Sequence, residues 1–391
     1  MVLYVAAYSV YVGYAILFLQ TRGLSNAQAG LTMTLSSIAV IILQPLASQF
    51  IERNKRFHIN YILAGIGLFT FVFTILLIFV DHPPILVLVM YVAATSTSLL
   101  VMPLLSAMAM QFENSGIPVN YGIGRGSGSL GYAVSGYMIG FFVERYDPNL
   151  IPQFFALYMA LIVIALLIHP KPPREEKNEN ERKKPTKPAI GTFALLKKNK
   201  PLLFFSISMA CFGFVMVSLD YFQINVVQKI GGTTQEYGLV LFIMAASEIP
   251  TMFLFKKFMA RIKVSTLMNL AFLGLIAKVI LLLIAPNMGV VIGAQLLNAL
   301  TLGLFSPALV YYTNEITKPE ESVVAQSISG GIAISVGRIF GGAIGGILID
   351  TGGVAAMLLF CMGMSSIGLC LMRIAEYKNL KRQSVRISAK G

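Results

Sequence analysis

The stretch LQTRGLSNAQAG, Leu19–Gly30, comes back as VQKIGGTTQEYG, Val227–Gly238. Gln20, Gly23 and Gly30 recur as Gln228, Gly231 and Gly238, each 208 residues further on. Ser25 with Gln28 recurs as Thr233 with Glu236. Ser/Thr-x-x-Gln/Glu is a capping box, in which the hydroxyl takes the third helical N–H and the longer side chain reaches back to the cap. Both copies stand between apolar runs. The same helix–turn–helix joint is therefore expected twice, half a chain apart.

Working outward, the flanking runs are too apolar and too many for a water-soluble core. The 391 residues are 56% hydrophobic and 12% charged, about half the charged share of an ordinary globular chain. A bilayer core takes about 20 apolar residues per helix. Twelve runs reach that scale: 4–20, 31–50, 59–80, 85–109, 128–143, 151–168, 201–227, 237–255, 264–285, 288–312, 323–348 and 353–373. The expected fold is an all-α membrane protein with twelve transmembrane helices in two pseudo-symmetric six-helix bundles, because an open backbone cannot face lipid. No cleavable leader is expected, since residues 1–20 lack a basic n-region.

Between the sixth and seventh runs lies HPKPPREEKNENERKKPTKPAIGTFALLKKNK, residues 169–200. Rich in Pro, Lys and Glu, it reads as a flexible linker. The domains expected are then a first bundle at 1–168, the linker at 169–200, a second bundle at 201–374 and a basic tail at 375–391. The net charge of +13 would suit nucleic acid, but its distribution says otherwise. With loops assigned alternately and the N-terminus inside, 25 of the 30 Lys and Arg fall on one side. That is a topology signal. It puts both termini in the cytoplasm, implies a cytoplasmic-membrane location and the lipid bilayer as partner, and argues against a nucleic-acid partner.

Catalytic patterns are absent. His58, His82 and His169 fall in loops, the three Cys fall in spans, and there is no G-x-x-x-x-G-K-[ST]. No enzyme, metal or cofactor is expected. What remains is charge inside spans: Asp220 and Glu248 in the seventh and eighth runs, Lys278 and Arg338 in the ninth and eleventh. Each costs about 2.5–3.5 kcal/mol to insert at a helix centre, and such groups face a bundle interior, pair, and mark ion or substrate paths. Static ion pairs that fix helix packing are the alternative reading. Gln223 follows Asp220 by three residues, and Asn298 follows Gln295 likewise; buried amides suit either solute hydroxyls or helix–helix bonding. Tyr4, Tyr8, Tyr11 and Tyr14 form a stripe on the first helix. It serves packing or, facing a cavity, presents Tyr11 to a solute. Gly124, Gly128, Gly136 and Gly140 in the fifth run, and Gly337, Gly341 and Gly345 in the eleventh, follow small-xxx-small spacing, which allows close helix approach.

These residues carry a family likeness. The chain resembles the lactose permease-like branch of the major facilitator superfamily, the oligosaccharide:proton symporters. QPLASQFIERNKRF resembles the superfamily's loop between second and third helices, a conformational motif in which Glu52, Arg53 and Arg56 take part. YGIGRGSGSLGYA resembles the fifth-helix segment, which puts Arg125 on the sugar-binding Arg and Tyr132 on the stacking aromatic. SLDYFQ and ASEIP resemble the segments holding the charge-pair Asp (Asp220) and the essential acid (Glu248). Lys278 sits near the ninth-helix Arg and Arg338 about one turn from the eleventh-helix base. Departures are plain: Ala107 replaces the fourth-helix Glu, and LTLGLFSP lacks the tenth-helix His and Glu. Lactose itself therefore fits poorly. The likeness implies two parallel halves alternating about a midplane site, proton coupling through Asp220, Glu248, Lys278 and Arg338, and a small polar solute such as a sugar or glycoside at Arg125, Tyr132, Gln223, Asn298 and Tyr11. A monomer is expected. Two other readings stand beside it. An efflux antiporter fits 26 Phe and 19 Met, since soft surfaces bind promiscuously; a non-transporting membrane scaffold fits less well with four charges in spans.

Overall fold

The structure, a computed structural model, describes residues 1–54, 57–80, 82–117, 121–171 and 192–388. Every regular element in them is helical. Among the described residues nine helices are long and apolar enough to cross a bilayer, and ten when the bent pair Val2–Gly13 and Ala15–Thr21 is taken as one span. Two helical runs stand out. Pro319–Arg382 is a single helical run of 64 residues, about 96 Å at 1.5 Å per residue, and is broken at Gly353. Tyr121–Arg145 has 25 residues but is diluted by glycine and serine. Among the described residues the helical segments are α1 (Val2–Gly13 with Ala15–Thr21), α2 (Asn26–Arg53), α3 (Ile59–Phe79), α4 (Pro84–Asn114), α5 (Tyr121–Arg145), α6 (Leu150–Ile168), α7 (Lys200–Lys229), α8 (Thr234–Met259), α9 (Val264–Ile284), α10 (Met288–Ile316), α11 (319–352) and α12 (354–388), an arrangement consistent with the twelve expected. A short helix, Thr192–Lys198, precedes α7.

The repeated joint is built as its sequence demands. In the first copy Gln28 N–H donates to Ser25 Oγ and Ser25 N–H to Gln28 Oε1 (3.3 and 3.0 Å). In the second, Glu236 N–H donates to Thr233 Oγ1 and Thr233 N–H to Glu236 Oε2 (3.2 and 2.8 Å). The preceding helix ends match too. Leu24 N–H reaches the Leu19 carbonyl and Gly23 N–H that of Gln20; Gly232 reaches Val227 and Gly231 reaches Gln228. This 6→1 and 5→2 pattern is a Schellman motif, which needs a left-handed residue at its turn. Gly23 and Gly231 supply it, with φ of +80° and +76°.

By their contacts the residues sort into two compact units, Met1–Lys183 with Tyr221–Ala246, and Lys184–Asp220 with Ser247–Gly391. The boundary crosses α7 after Asp220 and α8 after Ala246. Each point lies within four residues of one that disturbs the helix. Phe222 leaves helical geometry in α7 (φ −99°, ψ 15°). Pro250 in α8 removes the N–H that would bond the Ala246 carbonyl.

In the first unit α1 bends by 45° beyond a π-helical turn at Ser9–Gly13. Carbonyls at such a break need other donors in lipid, and tyrosines provide them. Tyr91 Oη donates to the Tyr11 carbonyl at 2.7 Å, and Tyr237 Oη donates to that of Gly13. Helix α5 meets the start of α8 closely: a Cβ on Gly140 would lie 2.7 Å from the Thr234 carbonyl. In the second unit α7 crosses α11 at Gly337, where any Cβ would overlap the Ala210 carbonyl. The glycine spacings read from sequence serve these crossings.

Candidate functional site

Five helices of the second unit each bring one polar side chain to the site: Asp220 on α7, Glu248 on α8, Lys278 on α9, Asn298 on α10 and Arg338 on α11. Lys278 lies in mid-helix and is 2% exposed. Asp220, Glu248 and Arg338 are half-buried.

Helix α10 is discontinuous at the site. Its first segment ends at Gln295, a 3₁₀ turn spans Leu296–Ala299, and helix resumes at Leu302. Ser247 Oγ on α8 donates to the Gln295 carbonyl at 3.1 Å, taking an acceptor exposed beside the break. The turn presents Asn298, which is 1% exposed. Lys278 Nζ donates to Asn298 Oδ1 at 2.7 Å, and Thr301 Oγ1 donates to the same oxygen at 3.3 Å. Two donors on one face fix the amide orientation, leaving its NH₂ for the other side. There Asn298 Nδ2 donates to Glu248 Oε1 at 3.2 Å. The result is a carboxylate–amide–ammonium chain across three helices. Arg338 and Lys278 are the cations whose charges act on Asp220; Asp220 and Lys278 are the charges that act on Glu248. Formally the set holds two acids and two bases. Buried charge without a partner is strongly disfavoured, so losing one charge here leaves its partner under-compensated.

The remaining sequence candidates are placed as follows. Gln223, one turn beyond Asp220 on α7, is 1% exposed, and its Nε2 has no hydrogen-bond partner among the described residues. Tyr132 on α5 is half-buried, its ring 6.2 Å from that of Tyr8. Tyr11 is 1% exposed, stacked on Phe155 at 4.8 Å, with its hydroxyl 2.9 Å from that of Tyr4. The tyrosine stripe is thus a packed ring cluster. Arg125 lies in α5 and Glu52 in α2, but their side chains lie outside the described residues, as does all of Arg56. Arg53 is exposed in the last turn of α2. Sequence reading passed over Ser247 and Thr301. Thr301 follows Asn298 by three residues, the spacing that shares a helical face, so it was within reach; Ser247 needed the α10 break, which no local pattern marks.

A discontinuous helix whose amide bonds an acid and a base from two neighbours resembles the broken helices of secondary transporters, where such breaks line ion and substrate sites. The chain belongs to the MFS_1 like family, which it matches over residues 1–360, and so to the transporters of the major facilitator superfamily rather than to the enzymes. It is 26% identical over 365 residues to the uncharacterized transporter YwbF of Bacillus subtilis (strain 168), covering 91% of this chain and 87% of that protein. It is 23% identical to the maltose permease of Geobacillus stearothermophilus, covering 89% and 86%. Among solved structures the nucleoside transporter NupG superposes with a TM-score of 0.79 at 14% identity, covering 96% of each chain. A D-xylose-proton symporter superposes with 0.71 at 12% identity, covering 95% and 94%.

Proposed function

We propose that this protein is a proton-coupled secondary transporter, a symporter, that carries a small polar organic solute such as a sugar or glycoside by alternating access. The observation that carries the reading is the Glu248–Asn298–Lys278 chain. Its acid and base are joined through a neutral amide, so proton arrival at Glu248 is felt at Lys278 without a large rearrangement. When Glu248 takes a proton, Lys278 loses a counter-charge and turns toward Asp220, which then shares its charge between Lys278 and Arg338. The bundle is thereby biased toward its other conformation. When the proton leaves, the first arrangement returns. Glu248 is the proton acceptor, Asp220 and Arg338 the alternate partners, and Asn298 the bridge.

Substrate assignment rests on chemistry and likeness. Gln223 offers an amide with an unmade bond, which suits a hydroxylated solute. Arg125 and Tyr132 take the sugar-contact roles by resemblance, and Tyr11 is a further solute contact. The relatives named for maltose, nucleoside and D-xylose share polyhydroxylated cargo. Within this reading the two bundles are 1–168 and 201–374, the linker is 169–200, and the basic tail is 375–391. Both termini lie in the cytoplasm, the protein works as a monomer in the cytoplasmic membrane, and Glu52, Arg53 and Arg56 steady the loop between α2 and α3.

The test is transport by the purified protein in liposomes, screened with labelled maltose, xylose and uridine under an imposed proton gradient. Glu248→Gln, which mimics the protonated acid, is expected to abolish accumulation against a gradient while keeping solute exchange across the membrane. Accumulation at the wild-type level in that variant would remove Glu248 from coupling.

A further inference from the structure

A cavity of about 380 Å³ lies wholly within the second unit, where α8 turns into α9 and where α10 and α12 pass. It shares no residue with the Glu248–Asn298–Lys278 chain. Tyr312, Glu315, Glu376, Asn379 and Lys263 supply its polar wall, and Met259, Ile262 and Leu380 part of its apolar wall. Tyr312 is 1% exposed and its ring packs edge-on to Phe205 at 4.8 Å. Its hydroxyl has no hydrogen-bond partner among the described residues. Glu376 and Glu315 both act electrostatically on that hydroxyl, and Glu376 acts on Glu315. The hydroxyl therefore sits among carboxylates that line the same space. Asn269 Nδ2 holds one oxygen of Glu376 at 3.0 Å, which fixes the carboxylate in place. Asn379 is 5% exposed.

The charge of the wall selects the ligand. Two carboxylates face one lining ammonium, that of Lys263, whose charge acts on Glu315. Arg373 meets Glu376 at 3.4 Å from a position 62% exposed, where solvent screens it. Glu315 and Lys263 are exposed as well, so the half-buried Glu376 is the one lining charge held inside. An anion is repelled there, and a neutral solute leaves that charge unbalanced. A cation with N–H donors satisfies Glu376 and the phenol oxygen together, since charge-assisted bonds to carboxylates are the strong ones. The apolar wall takes a short carbon chain. We propose that this cavity binds a small protonated alkylamine, a function separate from the transport reading above.

The test uses the full-length protein in detergent, titrated at pH 7 with n-butylammonium chloride against equal sodium chloride, with the thermal unfolding midpoint as readout. A ligand that prefers the folded state raises that midpoint by mass action. We expect a rise beyond the salt control that sets in near the dissociation constant and grows with the logarithm of concentration above it, the same rise in Glu248→Gln, and an onset at about tenfold higher concentration or more in Tyr312→Phe and in Glu376→Gln. Tyr312→Phe keeps the ring against Phe205, so its fold is preserved. No rise beyond the salt control, or an unshifted onset in either cavity variant, overturns the proposal.

Discussion

At the residue scale, Lys278 carries the most consequence per atom. It is buried, donates to Asn298, and is the cation shared by Asp220 and Glu248. Lys278→Met removes that charge and leaves both carboxylates with less compensation. Breaking a buried ion pair by removing one partner costs about 3–5 kcal/mol. The single variant is therefore expected to lower the unfolding midpoint of the purified protein clearly. Adding Glu248→Gln removes the stranded charge and is expected to recover a large part of the loss, a coupling that a double-mutant cycle reads directly. Additive losses would mean that the two side chains do not share their charge. Asp220, Glu248, Lys278 and Arg338 were legible from sequence because a charge in a hydrophobic run is conspicuous. The role of Asn298 was not. An amide in a span suits a solute hydroxyl as well as a helix neighbour, and only the distances to Lys278 and Glu248 show what it touches.

At the element scale, the helix ends and breaks do the organising. Both capping boxes formed as the repeated motif implied, because caps and Schellman turns depend on a few neighbouring residues. Breaks inside helices depend on distant donors. The π-turn of α1 has its carbonyls taken by Tyr91 and Tyr237, and the α10 break has one taken by Ser247; all three come from other helices. Gly353 is the clearest single-residue breaker. At φ 72° and ψ 179° it occupies a region open essentially to glycine alone. Gly353→Ala is expected to cost about 1–3 kcal/mol, read as a lower unfolding midpoint, with no change in the coupling of the protein that remains folded. A neutral Gly353→Ala would show that the turn between α11 and α12 adapts without strain.

At the scale of the whole molecule, coupling is the property to measure. Solute uptake into proteoliposomes is expected to run above equilibrium only while a proton gradient is present, and to fall to simple equilibration when a protonophore collapses it. Concentrative uptake that survives the collapse would contradict symport. The contact units bear on how such work is divided along the chain. Their boundary passes between Asp220 and Tyr221 and between Ala246 and Ser247, so each acid of the charge set stands within two residues of the point where its helix changes unit.

The sequence by itself determined the membrane class, the duplicated joint and the identity of the charged residues. Hydrophobic length, capping chemistry and the cost of charge in lipid are all local properties, readable from a window of a few to about 20 residues. The tertiary structure alone decided that Asn298 bridges Glu248 to Lys278, that Tyr11 stacks on Phe155, and that Tyr312 and two glutamates from α10 and α12 share a cavity. Those facts join residues tens of positions apart in the chain. Their geometry is set by how helices cross, which the order of residues in any one helix does not specify.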